Sequence, residues 1–395
     1  MSRGVDVLHV VPSYHPGRSG IEVLVENLVN ELRDGQGVDS AVVAPGLPGQ
    51  RPPDYVHMGT RVHSIPVPQA IMAVYESVAP TAVPVDSSLA ILADVYADLR
   101  RVYESTKPQL VHIHAVSMMA PAAAALATSL DIPVLFHEHG LADVNPANYR
   151  DQLRDAAWVC AVSHAVADSI RDECSRQTDI HVIPNGLEDP LDTIGHQVEH
   201  FPSVAMVGRL AQEKGFDDGL EALAIVRRRF PKLRIRLVGD GPCAAGLYEQ
   251  AGRLGLHDVV DYYGKLDHHQ ALTVIARSSA VLVPSRRTEG FSLVAAEAAL
   301  LKRPVVATTV GGLPETVHHE VTGLLVPPGD VQSMAAAVER LLALPLLRNA
   351  LAENARERAV IDFSVQRFAA DIARLYGEML GTSRSGTSSR FFHEA

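Results

Sequence analysis

The chain is an α/β protein built as two successive Rossmann-like domains, and three observations predict this. Its 395 residues exceed one ordinary core and suit two domains of roughly 150 to 200 residues each. Short Val/Ile/Leu runs alternate with Ala-rich stripes of helical period, the pattern of parallel strands joined by helices. That alternation runs twice, on either side of a break at Pro184-Asn185-Gly186.

The first series opens with Val5 to Val11 (VDVLHVV), whose length and β-branched content fit a buried parallel strand. The loop Pro12 to Gly20 follows, and then a stripe over Ile21 to Arg33 with apolar residues at 21, 24, 25, 28, 29 and 32. Ser40 to Ala44 completes a βαβ start. Further strands are predicted at Val62 to Ile65, Leu110 to Ile113, Val134 to Phe136, Val159 to Val162 and His181 to Ile183. Helices are predicted over Ser88 to Glu104 and His164 to Cys174, the latter with Ser163 as N-cap.

Pro184-Asn185-Gly186 and the polar stretch after it read as an interdomain linker. The second series has strands at Ser203 to Val207, Ile235 to Val238, Val259 to Tyr262, Val281 to Val283, Pro304 to Ala307 and Leu324 to Val326. Its helices span Gly215 to Phe230, Ala244 to Leu254 and Val331 to Leu344, and one more runs over Ser364 to Leu380. The expected organisation is a first domain at 1–187, a second at 188–363, a helix at 364–381 crossing back to the first domain, and a disordered Ser/Gly/Arg-rich tail at 382–395.

Composition narrows the function. Residues 1 to 190 hold 12 Lys/Arg against 23 Asp/Glu, a balance of −11, whereas residues 191 to 395 hold 23 of each. The acidic half argues against nucleic acid or an anionic membrane as its partner, although solubility alone accounts for such a charge equally well. No apolar run reaches the roughly 18 residues that span a bilayer, and Met1 leads directly into a strand, so a cytoplasmic protein without membrane insertion is expected. Cys160, Cys174 and Cys243 are odd in number and lack C-x-x-C spacing, which makes them packing residues.

Three clusters carry candidate chemistry. Gly208-Arg209 and Lys214-Gly215 lie between a strand and a helix, where a guanidinium and an ammonium can neutralise a departing diphosphate. Such dipeptides are also common in surface loops. Glu289-Gly290-Phe291-Ser292-Leu293, with Glu297 further on, follows a strand; a helix opening near Ser292 offers free N–H groups to phosphate, and the two carboxylates can accept from sugar and ribose hydroxyls. The plainer reading makes Glu289 a dipole-favoured first-turn residue and Glu297 solvated. In the first half, His137-Glu138-His139-Gly140 ends a strand and can present an imidazole to a cleft, though a hydrogen-bonded loop histidine is commoner. His112 and His114 alternate on one strand face, but no third zinc ligand is evident, so packing or polar cleft roles are expected. His268-His269 and His318-His319 read as surface pairs.

Taken in order, Pro184-Asn185-Gly186, Gly208-Arg209, Lys214-Gly215, Gly239-Asp240-Gly241-Pro242 and Glu289 with Glu297 eight positions later resemble glycosyltransferase family 4 over nearly the whole chain. The resemblance implies the GT-B fold, two Rossmann-like domains facing across a cleft. It assigns Arg209 and Lys214 to the donor diphosphate, Glu289 to the transferred sugar and Glu297 to the ribose. The backbone of Gly208, Gly290, Phe291, Ser292 and Leu293 contacts sugar and phosphate, and Lys265-Leu266 lies near the base. His139 is the histidine near the reacting centre. Ser19-Gly20 matches a Gly-Gly loop over the phosphates, with Ser in place of the first Gly, a departure that weakens the match there.

The implied reaction is hexosyl transfer with retention from a nucleoside diphosphate sugar, UDP-sugar favoured, to a small soluble hydroxylated acceptor. The leaving phosphate helps remove the acceptor proton, so leaving-group stabilisation matters more than a protein nucleophile. The chain has no D-x-D, and no metal or other cofactor is expected. Its acidic first half points to an amine-bearing acceptor, an aminocyclitol or amino sugar of antibiotic assembly. Competing readings are a nucleotide-sugar epimerase or hydrolase of the same fold and a non-catalytic sugar-nucleotide binding protein. A nicotinamide enzyme is disfavoured, because Val10 to Gly20 reads VVPSYHPGRSG rather than G-x-G-x-x-G.

Overall fold

The structure is a computed structural model that describes residues 4–14, 20–46, 54–66, 85–115, 117, 119–141, 147–195, 199, 201–287 and 289–383. The chain divides into two compact units, Met1–Gly186 together with Val365–Ala395, and Leu187–Ser364.

The first unit is built on an eight-stranded sheet of order β3-β4-β2-β1-β5-β6-β7-β8. Its strands are β1 Val7–Val10, β2 Ser40–Pro45, β3 Tyr55–His57, β4 Thr60–Ile65, β5 Leu110–His114, β6 Val134–Glu138, β7 Trp158–Ala161 and β8 His181–Val182. All neighbours are parallel except β3 and β4. Every residue of β1 and β5 is buried, so both strands are covered on two faces, as their near-continuous apolar runs require. The three-residue β3 has no counterpart among the predicted strands, being too short to show a period.

The helix Val365–Ser383 follows the second unit in sequence and packs in the first. Phe368, Ala369, Ile372, Leu375, Tyr376 and Met379 recur at helical spacing and join Val7, Leu110 and Leu135 in one core. It runs two residues into the segment expected to be tail, and the residues from 384 onward lie outside the described ones.

The second unit is built on a wholly parallel six-stranded sheet of order β11-β10-β9-β12-β13-β14. The strands are β9 Ser203–Val207, β10 Arg234–Val238, β11 Val260–Gly264, β12 Ala280–Val283, β13 Val305–Thr308 and β14 Gly323–Val326. Chain order runs outward from β9 in one direction and resumes at β12 in the other, the arrangement that opens a crevice beyond the strands' carboxyl ends. Two apolar clusters fill its faces, one around Met206, Leu220 and Leu237, the other around Ala205, Ile275 and Leu301.

Several helices fall outside the predicted set: Ala120–Ser129, Ala147–Asp155, Leu191–Ile194, His268–Arg277, Leu313–Thr316 and Pro345–Asp362. Six of the ten residues of the first are alanine, and it has no stripe to read. His268–Arg277 carries a reciprocal cap between Asp267 and Gln270, a signal present in the sequence. Leu191–Ile194 lies in the stretch read as a linker. Among the described residues, no helix is long and apolar enough to cross a membrane.

Candidate active site

The second unit gathers its polar groups where the strand order reverses. β9 ends at Val207, and the segment Gly208–Gly215 leads through a short 3-10 turn, Gln212–Lys214, into the helix Phe216–Arg229. Beside it, the loop after β12 leads to the helix Leu293–Leu300. Gly215 holds the two loops together. Its φ is +64°, and a Cβ there would stand 2.1 Å from the Pro284 carbonyl oxygen, so only glycine permits the approach. Arg286 N and Arg287 N both donate to the Glu213 carbonyl, and the Arg286 guanidinium grips Asp218 at 2.6 Å and Asp217 at 2.9 Å.

Within this frame Lys214 Nζ donates to Glu289 Oε2 at 2.8 Å, and Ser285 Oγ donates to the same oxygen at 2.8 Å. Glu289 is buried, with a side chain 11% exposed against 28% for Lys214. Its backbone is fixed from the other side: Gly312 N donates to its carbonyl at 2.8 Å, and Gly311 packs so closely that a Cβ would lie 2.1 Å from that oxygen. Arg209 is exposed and has no ion-pair partner among the described residues. Its loop is anchored by Leu210 N, which donates to the Asp240 carbonyl at 2.9 Å.

Ser292 caps the helix Leu293–Leu300, its hydroxyl accepting from Ala295 N, and the earlier N–H groups of Leu293 and Val294 are the ones a helix start offers to an anion. Phe291 is buried edge-on against Phe363, ring centroids 5.2 Å apart, which pins the approach to that helix. Glu297, one turn further, is held by His268 Nε2 at 2.8 Å. Glu297 is therefore not a solvated surface carboxylate, and His268 is not half of an idle surface pair. Lys265 is exposed after β11, and Leu266 packs partly against the core.

The first unit places histidines at its own reversal, between β1 and β5. Register sets His9 of β1 opposite His112 of β5, and His114 opposite His137 of β6. Their rings stack: His112 and His114 centroids are 3.9 Å apart, and those of His137 and His139 are 4.4 Å apart. His9 Nδ1 lies 3.0 Å from His114 Nε2, and His9 Nε2 lies 3.3 Å from Ser40 Oγ. His112 Nε2 lies 3.2 Å from His137 Nδ1, and His112 Nδ1 lies 2.5 Å from the hydroxyl of Tyr376 on the last helix. Burial lowers the His9 pKa to about 3 and the His139 pKa to about 4, with Asn185 opposing the shift at His139. It also holds His112, His114 and His137 well below the ordinary value, their neighbours adding to the effect. All five are neutral at pH 7.

The third ligand for His112 and His114 that is not evident in the sequence has candidates in the fold: His9 groups with that pair, and His137 and His139 group with His114. Alternation on a strand placed two of the five on one face, but only the parallel register of β1, β5 and β6 brings the rest alongside. His9 was missed because it sits inside an otherwise apolar run. Gly20 begins the helix Gly20–Gln36, while Ser19 and the residues from 15 onward before it lie outside the described residues.

Comparison with known proteins agrees with this architecture. Residues 18–189 match the family described as Glycosyltransferase Family 4, and residues 195–358 match Glycosyl transferases group 1. A glycogen synthase of Mycobacterium tuberculosis is 31% identical over 288 residues, 69% of each chain. The 2-deoxystreptamine N-acetyl-D-glucosaminyltransferase of Streptomyces fradiae is 28% identical over 369 residues, 84% of each. Among solved structures, Anabaena HepE in complex with UDP and glucose matches with a TM-score of 0.72 at 21% identity, over 94% of this chain and 99% of that one.

Proposed function

The chain belongs to glycosyltransferase family 4 and is a glycosyltransferase of the GT-B type, and on that premise we propose that it moves a hexosyl group, with retention, from a UDP-sugar to a small amine-bearing acceptor of the aminocyclitol or amino-sugar class. The observation that carries the reading is the Lys214–Glu289 pair at the β9/β12 reversal, beside a serine-capped helix start. A cation, a carboxylate and free N–H groups in one crevice suit a sugar diphosphate, whose phosphates seek the first and last and whose hydroxyls seek the second.

In this reading the bond between the anomeric carbon and the diphosphate breaks, and the acceptor oxygen bonds to that carbon from the same face. The acceptor proton passes to an oxygen of the departing phosphate, giving the glycoside and free nucleoside diphosphate. Arg209 and Lys214 neutralise the charge that develops on the leaving group, aided by the helix start at Ser292. Glu289, already oriented by Ser285 and Lys214, accepts from the sugar hydroxyls, and Glu297 with His268 accepts from the ribose. Gly208, Gly290, Phe291 and Leu293 contribute backbone contacts, and Lys265-Leu266 sit by the base. In the first unit the neutral imidazole of His139 hydrogen-bonds the sugar, and Gly20 begins the helix behind the phosphate loop. No metal takes part at the diphosphate, because the cations that stabilise it are side chains. The amine-bearing acceptor is supported by the acidic first half and by the 2-deoxystreptamine transferase among the relatives. The UDP donor is supported by the HepE complex.

The test is to incubate the protein with a panel of nucleoside diphosphate sugars, treated with a chelator, and to measure diphosphate release with and without 2-deoxystreptamine or a neutral cyclitol. Faster release from a UDP-sugar with the amine-bearing acceptor, and a new α-linked product, is the expected result. Release unchanged by either acceptor, or an epimerised donor, would sink the transferase assignment of substrate.

A further inference from the structure

The five-histidine cluster of the first unit is more than a polar lining, because its ring contacts admit a proton arrangement that leaves lone pairs turned to a common centre. His114 Nδ1 and His137 Nε2 are buried and without a hydrogen-bond partner, and the two buried ring nitrogens of His139 have only the Asn185 side chain beside them. The opposite nitrogens of His114 and His137 are each held by another imidazole, His9 and His112, and these in turn are held by Ser40 and Tyr376. One assignment of protons satisfies both chains. His114 Nε2–H donates to His9 Nδ1, whose Nε2–H donates to Ser40 Oγ; His137 Nδ1–H donates to His112 Nε2, whose Nδ1–H donates to the Tyr376 hydroxyl. It leaves bare lone pairs on His114 Nδ1 and His137 Nε2, beside His139.

A first layer of imidazoles with free lone pairs, whose other nitrogens are fixed by a second layer, is the arrangement that orients histidine toward a metal ion. We propose that His114, His137 and His139 bind a divalent ion of the imidazole-preferring first-row class, Zn²⁺ being the probe, with His9–Ser40 and His112–Tyr376 as the outer layer that sets their tautomers. One ligand nitrogen from each of the three lies within 4.8 Å of the others. Tetrahedral zinc asks for nitrogens about 3.3 Å apart at its bond lengths of roughly 2.0 Å, so binding draws the three rings together. Unfilled, the site leaves buried polar nitrogens unpaired, which costs stability.

The three ligands are neutral, so the ion keeps its charge and takes water, hydroxide or an anionic group at its fourth position. The three ligands lie in the first unit and share His139 with the transferase reading, in which that imidazole meets the sugar and no metal assists the diphosphate, so metal binding is read separately from transfer.

The test uses the full chain stripped with a chelator and then titrated with Co²⁺, read by its visible absorption, and with Zn²⁺ against a chromophoric chelator. One equivalent should bind, with the intense visible bands of four-coordinate cobalt. His114→Gln and His137→Gln should each weaken binding by 100-fold or more, and His9→Gln, in the outer layer, by about 10- to 100-fold. His269→Ala and His319→Ala, on the surface, should leave it unchanged. Ser40→Ala removes only a hydroxyl and should still weaken binding several-fold in a chain whose thermal transition is intact, which separates loss of the site from loss of the fold. Absence of stoichiometric binding to the wild-type chain, or an equivalent that survives His114→Gln and His137→Gln, would overturn the assignment.

Discussion

At the reversal between β9 and β12 the second unit keeps its polar groups charged and in pairs, Lys214 with Glu289 and Arg286 with Asp217 and Asp218. At the corresponding reversal between β1 and β5 the first unit keeps five imidazoles neutral, stacked and buried. The same sheet topology thus carries two electrostatic designs, and the difference follows from where the groups sit. The charged residues lie on loops and first helical turns beyond the strand ends, where solvent still reaches Lys214 and Arg209. The histidines project from the strands themselves or the first residue beyond, where burial favours the uncharged form. A unit of the first kind suits a diphosphate; one of the second suits uncharged hydroxyls, or a metal ion that requires neutral imidazole.

The largest effect that would break this contrast is expected at Arg209. Arg209→Ala should lower the transfer rate by about 100- to 1,000-fold, the usual loss when one donor to a developing charge is removed. Since its side chain is exposed and unpaired, the thermal midpoint should stay where it is. Near-normal turnover would take Arg209 out of the site. Glu289→Gln should come next, with a loss of about 100-fold, because Lys214 loses its charged partner and, on the proposed reading, the sugar loses a strong acceptor. In a double-mutant cycle with Lys214→Met the two losses should fall well short of adding, as expected of directly bonded residues.

The histidine side of the contrast is tested by acid. The folded-state pKa values of His9 and His139, about 3 and about 4, lie below the 6.5 of an unfolded histidine. As pH falls below 6.5 the unfolded chain takes up protons that the folded first unit refuses. Stability is therefore complete above about pH 6.5 and is lost progressively toward pH 4, with each refused proton costing about 1.4 kcal/mol per pH unit. The single tryptophan, Trp158, lies in β7 of the first unit and reports that unit alone. Its fluorescence melting transition should move down steeply from pH 7 to 5, and less steeply in His114→Gln. A midpoint flat across that range would show that the cluster is hydrated or charged in the native state.

A smaller structural effect is expected at Gly215→Ala, where a left-handed φ and a 2.1 Å approach to Pro284 leave no room for a methyl. A loss of about 1–3 kcal/mol in the second unit is expected, followed by circular dichroism, with the Trp158 transition unmoved.

Much of this was legible in the sequence because buried parallel strands announce themselves. The run at Ser203 to Val207 coincides with β9, and the helix from His164 to Cys174 with its Ser163 cap is found as read. What escaped reading had no local signal. The alanine run at 120–129 has no polar face to give it a period, and the helix Pro345–Asp362 carries its buried residues sparsely, at 351, 352, 355 and 359. The Lys214–Glu289 pair spans 75 residues, and the contact between His112 and Tyr376 spans 264. Both partners of each were visible as residues, but their meeting is a property of strand order, which no spacing records.

The smallest effect sharpens the contrast most cheaply. Glu297 is the one carboxylate of the crevice whose partner is an imidazole, so it combines the two designs. If His268 only steadies Glu297 against the ribose, His268→Ala should raise the donor KM by about 3- to 10-fold and leave kcat alone, the signature of binding lost equally from ground and transition states. The effect should also depend on the ribose. A 2′-deoxy donor has already lost a hydroxyl that Glu297 accepts from, so it should be penalised less by the substitution than the ordinary donor. Equal penalties for the two donors would place Glu297 away from that hydroxyl, and a fall in kcat would mean that His268 acts on the leaving group instead.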